Sequence, residues 1–163
     1  MYENKFILGK SSIENEDYDS LVFCFRNIEN KVKLPNFIKI IEPNAFECCT
    51  LQILEISADS KLQMIGNGAF YGSLIKCFSF PINIKKISIE AFSSCKKLRF
   101  VDIPKKSELQ IIEESAFYLS SINYIFIPYQ VTQISANCFS YSKLRQIDFA
   151  DNSKRFERNC NTN

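Results

Sequence analysis

Apolar positions in this chain recur as a fixed phrase rather than at one helical or strand period. Five Phe residues anchor it: Phe46, Phe70, Phe92, Phe117 and Phe139, spaced 24, 22, 25 and 22 residues apart. A small residue precedes each (Ala45, Ala69, Ala91, Ala116 and Cys138), and Ile stands five residues before each (Ile41, Ile65, Ile87, Ile112 and Ile134). Another aliphatic stands eight before, at Ile38, Leu62, Ile84, Leu109 and Val131, and Cys or Ser three after, at Cys49, Ser73, Cys95, Ser120 and Ser142. Self-similarity at a period of 20–50 residues is the mark of a repeat architecture, about one supersecondary unit per period.

Between the phrases runs a second pattern, apolar-x-x-apolar-x-apolar, usually followed by Pro. It reads Leu51, Leu54, Ile56, Ser57; Ile75, Phe78, Phe80, Pro81; Leu98, Val101, Ile103, Pro104; Ile122, Ile125, Ile127, Pro128; and Leu144, Ile147, Phe149, Ala150. A partial first copy is Val32, Leu34, Pro35. The alternating tail of each copy predicts a short strand with one face buried. Pro has no N–H to donate, so it ends the ladder. The chain then turns, lays two aliphatics on an opposite wall and tucks in the Phe. Neither wall buries its apolar row alone; stacked coils make one core. The expected fold is therefore a mostly β repeat solenoid with six short parallel strands on its concave face. Short strands or single helical turns line the convex side.

Coil length alternates. Ser57 and Pro104 lie 13 residues before the next Phe, whereas Pro35, Pro81 and Pro128 lie 11 before it. The two extra residues are expected to bulge as a loop on one edge. The chain divides into an N-terminal tail with a capping strand (1–28), the solenoid (29–150) and a polar tail (151–163). Within the first part, Leu21 to Phe25 is a strand by its β-branched and aromatic content. Asn27 to Asn30 turns it back toward Val32, Lys33 and Leu34, as a hairpin or edge strand that caps the first coil.

The phrases Ile134-Ser135-Ala136-Asn137-Cys138-Phe139, Pro128-Tyr129-Gln130-Val131-Thr132-Gln133-Ile134 and Ala91-Phe92-Ser93-Ser94-Cys95 resemble the BspA-like, treponemal-type leucine-rich repeat family. That family is expanded among surface antigens of anaerobic parasitic protists. The likeness covers about residues 29–150. It implies a curved leucine-rich repeat solenoid that binds other proteins or cell surfaces, of the surface-antigen or adhesin kind.

Composition narrows the chemistry. The 163 residues include no His, which removes Ser-His-Asp and Cys-His catalysis and His metal ligands. The formal net charge of +2 does not point to nucleic acid. No run approaches the roughly 18 apolar residues of a membrane span, and the stretch Phe6-Ile7-Leu8 is too short for a secretory core of about 7–15. That favours a cytoplasmic location, while the family likeness favours the cell surface. The seven Cys form no Cys-x-x-Cys and suggest free, mostly buried thiols rather than a disulfide framework or zinc site. Gly66, Gly68 and Gly72 read as a turn, because the aligned copies lack them. Asp102 and Asp148, at one repeat position with Glu55, read as solvated face residues. No catalytic residue, cofactor or metal site is expected.

The concave face is the candidate site. Residues flanking the middle apolar residue of each strand point outward: Ile53 and Glu55, Cys77 and Ser79, Phe100 and Asp102, Tyr124 and Phe126, Gln146 and Asp148. Phe100, Tyr124 and Phe126 form an exposed aromatic patch, bordered by Asp102, Gln146 and Asp148. A contiguous exposed apolar patch usually has a reason, and aromatics at its centre are typical anchors. Cross-strand stacking that steadies the sheet is the competing explanation. Lys76, Arg99 and Arg145 line a rim, with Lys85, Lys86, Lys96 and Lys97 on turns. The function expected is non-enzymatic binding of a protein partner from host, matrix or cell. An intracellular scaffold, or a truncated family member without a separate role, is the alternative.

Overall fold

The computed structural model describes residues 5–14 and 16–150. Thirteen strands build two walls, and the described residues contain no helix. The first wall holds β1 (Phe6–Gly9), β2 (Ser20–Cys24), β4 (Ile40–Ile41), β6 (Met64–Ile65), β8 (Lys86–Ile87), β10 (Ile111–Ile112) and β12 (Gln133–Ile134), in that order. All neighbours in it are parallel except β1 and β2. The second wall holds β3 (Lys31–Lys33), β5 (Ile53–Glu55), β7 (Cys77–Ser79) and β9 (Phe100–Asp102) in one parallel ladder. β11 (Tyr124–Ile127) and β13 (Gln146–Phe149) form another. The six strands expected from the apolar pattern are all present.

The Phe residues stack as a column between the walls. Centroids of Phe46 and Phe70 lie 4.7 Å apart, Phe70 and Phe92 4.9 Å, Phe92 and Phe117 5.4 Å, and Phe117 and Phe139 5.7 Å, all with near-parallel rings. Phe78 meets Phe70 and Phe92 edge-on, the other favoured aromatic geometry. The small residue before each Phe has a backbone role as well as a steric one. The Phe46 N–H donates to the Ala69 carbonyl at 2.7 Å, and Phe70, Phe92 and Phe117 donate likewise to Ala91, Ala116 and Cys138, each at 2.8 Å. The coils are thus tied at the same point where the rings stack.

Each Phe is flanked by two left-handed residues, at two before and two after. These are Asn44 and Cys48, Gly68 and Gly72, Glu90 and Ser94, Ser115 and Leu119, and Asn137 and Tyr141, with φ from 52° to 63°. This accounts for the glycines of the second coil. Gly68 and Gly72 occupy positions that other copies fill under strain, since a left-handed L-residue costs roughly 1–2 kcal/mol.

Two expectations need correction. The extra residues of the long coils do not bulge. Ser60 and Ser107 turn inward and are buried, and their hydroxyls accept the N–H of Leu62 and Leu109 at 3.3 and 3.2 Å. The next residues, Lys61 and Glu108, donate backbone N–H to Asn36 and Ile82 of the preceding coil. An inward hydroxyl satisfied locally lets the insert join the stack. The strand at 20–24 also does not pair with Val32. Its antiparallel partner is Phe6–Gly9, and Lys31–Lys33 lies across the core in the second wall. Phe6 and Leu21 are fully buried, so both belong inside, and Phe6 meets Phe46 edge-on at the end of the column.

Coil length also governs pairing in the second wall. Short-to-long neighbours pair fully, β3 with β5 and β7 with β9, and β11 pairs fully with β13. Long-to-short neighbours pair weakly. β5 and β7 share the single pair Ile53 and Cys77, and between β9 and β11 no ladder forms among the described residues. At the cap, Asp19 is buried and ion-paired with Lys39 at 3.0 Å. Burial raises its carboxyl, but the Ser11 N–H and hydroxyl and the Lys39 ammonium outweigh that and hold it at about 2.

Equivalent left-handed positions should respond to substitution with opposite signs. Gly68→Ala is expected to destabilise by about 1–2 kcal/mol, because a Cβ there also runs into the Asn44 side-chain oxygen. Glu90→Gly is expected to be neutral or to stabilise by up to about 1 kcal/mol. Urea unfolding midpoints measure both; a matching loss at Glu90 would contradict the backbone assignment.

Candidate interaction face

Why the outward row of the second wall is aromatic near one end follows from strand alternation. Val101 and Ile125 point inward and are buried, so their neighbours point out. Phe100 is 67% exposed and Tyr124 40% exposed, while Phe126 is half-buried. Asp102, Gln146 and Asp148 are all exposed, as the alternation predicts. Register sets Tyr124 opposite Gln146 and Phe126 opposite Asp148. On the preceding ladder, Phe100 sits opposite Cys77 and Asp102 opposite Ser79.

A polar network fixes part of this surface. The Tyr124 hydroxyl donates to Asp148 Oδ2 at 3.2 Å, and Gln146 Nε2 donates to Asp148 Oδ1 at 3.0 Å. Loss of solvation around Tyr124, then the Asp148 carboxylate and its hydrogen bond, push the phenol above its ordinary range. Asp148 is thus a holder of the Tyr124 ring position, a role its repeat position did not reveal. Tyr124 reaches it because the two coils are in register.

Sequence reasoning missed the floor of the site. An open hollow of about 750 Å³ is lined by Lys105, Lys106, Tyr124, Phe126, Tyr129 and Asp148, among others. Lys105 and Lys106 belong to the turn of the long coil, and Tyr129 follows Pro128; the alternating pattern ends before these residues. The apolar positions of the last coil are also looser than expected. Leu144 and Ile147 are half-buried and Phe149 is 42% exposed. Lys76, Arg99 and Arg145 are exposed on the rim. Lys86 is not on a turn: it lies in β8, half-buried, with its ammonium 3.4 Å from Glu113.

Other candidate chemistry stays dispersed. Among the described residues, no group of three or more Cys, Asp or Glu could hold a metal ion. No helix there is long and apolar enough to cross a membrane. Cys24, Cys49 and Cys95 are buried free thiols, Cys138 is buried, Cys77 is half-buried and Cys48 is exposed. Burial pushes the Cys95 thiol up to about 11, although Ser73 hydrogen bonds oppose it. Cys160 lies outside the described residues.

Two parallel-stranded walls, a one-coil repeat of 22–25 residues and the Leu-x-x-Leu-x-Leu strand define a leucine-rich repeat solenoid. The chain belongs to the BspA type leucine rich repeat region family, whose model matches six copies over residues 21–107 and 39–163. No curated protein matches it. Solved structures share the fold. The pneumococcal vaccine antigen PcpA is 24% identical with a TM-score of 0.73, over 76% of this chain and 31% of that one. A leucine rich cell surface protein of Faecalibacterium prausnitzii is 24% identical with a TM-score of 0.58, over 83% of this chain and 43% of its own. A leucine-rich repeat protein of Bacteroides capillosus is 19% identical with a TM-score of 0.51, over 80% of this chain and 86% of its own. The chain spans under half the length of the first two. Solenoids of this kind are in general non-enzymatic interaction scaffolds.

Replacing Asp148 should report on Tyr124. Asp148→Asn removes the charge but not the side chain's size, so the Tyr124 phenol is expected to ionise at lower pH than in the parent. An NMR pH titration of the ring signals measures this; an unchanged Tyr124 titration would contradict the contact.

Proposed function

We propose that this chain is a binding module that takes a protein partner on the outward row of its second wall. The partner is a host, matrix or cellular protein, and the role is of the surface-antigen or adhesin kind. The observation that carries the reading is the aromatic row of Phe100, Tyr124 and Phe126 beside a wide hollow. Phe100 exposes most of its ring, which costs free energy in the unbound chain and returns it when a partner covers the ring. Asp102, Gln146 and Asp148 supply a polar border, the usual surround of an apolar anchor. The lysines of the long-coil turn give the hollow a positive side, which suits an acidic segment of the partner.

Surface display is part of the proposal. It draws on the cell-surface protein of Faecalibacterium prausnitzii and the pneumococcal vaccine antigen, which share the solenoid fold. The anchors act by fit and water exclusion, with no bond made or broken.

The test is capture by immobilised chain from a panel of matrix and host-surface proteins and from lysate of the source cells. Tyr124→Asp with Phe126→Asp is expected to abolish capture while circular dichroism and the unfolding midpoint stay close to the parent. Tyr71→Asp, an exposed tyrosine beside the Phe column's turns, is expected to leave capture intact. Equal capture by the parent and the double variant would overturn the anchor assignment.

A further inference from the structure

The N-terminal cap contains a pair of cysteines that the repeat pattern did not place together. Cys24 ends β2, and its N–H donates to the Ala45 carbonyl at 2.8 Å. That bond is the counterpart of the Phe-to-Ala bonds of the later coils, so Cys24 takes the Phe slot one coil before Phe46. Cys49 sits three residues after Phe46, in the Cys-or-Ser slot. The two sulfurs lie 3.6 Å apart. Both thiols are buried, and both bracket the Phe25 carbonyl, at 3.6 and 3.7 Å. A disulfide needs about 2.05 Å between sulfurs. Closing the bond brings the sulfurs about 1.5 Å nearer, while the β2–β4 pairing of Leu21 with Ile41 holds the two segments side by side.

We propose that Cys24 and Cys49 are a site of reversible oxidation, closing to a disulfide that staples the cap hairpin to the first coil when hydrogen peroxide is present. The Cys49 thiolate attacks one peroxide oxygen; the O–O bond breaks, and the leaving oxygen departs as water after taking a proton. Cys49 is then a sulfenic acid. The Cys24 sulfur attacks the Cys49 sulfur, the S–O bond breaks and a second water leaves. Two thiols and one peroxide become one disulfide and two waters, the thiols oxidised and the peroxide reduced.

The surroundings favour Cys49 as the attacking sulfur. A hydrogen bond from Cys24 and the N–H groups of Leu51 and Thr50 draw its thiol below the ordinary range, against burial. The thiolate is the nucleophile in such chemistry. Peroxide enters by opening of the hairpin. β2 has β1 alone outside it among the described residues, and terminal elements open at the lowest cost. A closed staple keeps Phe6 over the end of the Phe column, so the oxidised chain holds its cap where the reduced one frays. Oxidising compartments are where such a bond would persist.

The experiment uses the full chain, reduced, desalted and treated in its native state with hydrogen peroxide. Free thiols are then blocked with iodoacetamide in denaturant and the digest is read without reduction. The expected result is a linked peptide pair, the loss of two alkylatable thiols, full reversal by dithiothreitol and a higher unfolding midpoint for the oxidised chain. Cys48 shares a tryptic peptide with Cys49, so variants separate them. The link is expected to survive Cys48→Ser and to vanish in Cys49→Ser. Ser fills the Cys49 slot in the coils of Ser73 and Ser120, so the latter variant is expected to fold. Full alkylation of Cys24 and Cys49 after peroxide would overturn the proposal. So would a link that survives Cys49→Ser, or one that forms only after the chain has been unfolded.

Discussion

A single coil of this solenoid cannot bury its own phenylalanine. The ring lies between coils, so its two faces are covered only when a neighbour stands above and below. Fully burying one such ring is worth about 1.5–3 kcal/mol, and a well-placed aromatic neighbour adds roughly 0.5–1.5 kcal/mol. The Phe N–H, bonded to the small residue's carbonyl one coil on, locks the same contact through the backbone. Stacking therefore fixes the coil spacing, and the spacing fixes the register of every outward side chain.

The candidate face inherits its order from that core. Tyr124 meets Asp148 because their strands run parallel and in register, not because a loop carries them there. The outer strands add a second level: they form one ladder of four and one of two, with a break between β9 and β11, Phe100 on one side and Tyr124 and Phe126 on the other. The aromatic row spans this break.

Much of this was legible in the sequence because the physics repeats. Apolar residues at constant offsets from five Phe positions specify two walls and a core without knowledge of any one coil. The outward positions of Phe100, Asp102, Tyr124, Phe126, Gln146 and Asp148 follow from period-two alternation. What the sequence hid were the places where one coil departs from the others. Ser60 and Ser107 look like loop residues, and only the stacked structure shows their hydroxyls turned to Leu62 and Leu109. Phe6 looked like part of a short apolar run, yet it ends the Phe column. Glu90 and Leu119 give no hint of positive φ, which the glycines at Gly68 and Gly72 disclose only once the coils are aligned. The lysines of the hollow stand in turns, where composition carries charge but no direction.

The measurement that bears most directly on the central claim is the urea unfolding of Phe92→Ala beside Phe100→Ala. Phe92 stacks on both neighbours in the middle of the column, and Phe100 stands exposed one strand away. Phe92→Ala is expected to cost about 3–5 kcal/mol and Phe100→Ala no more than about 0.5 kcal/mol. A loss below about 1 kcal/mol at Phe92, or equal losses at the two positions, would contradict a fold held together by its phenylalanine column.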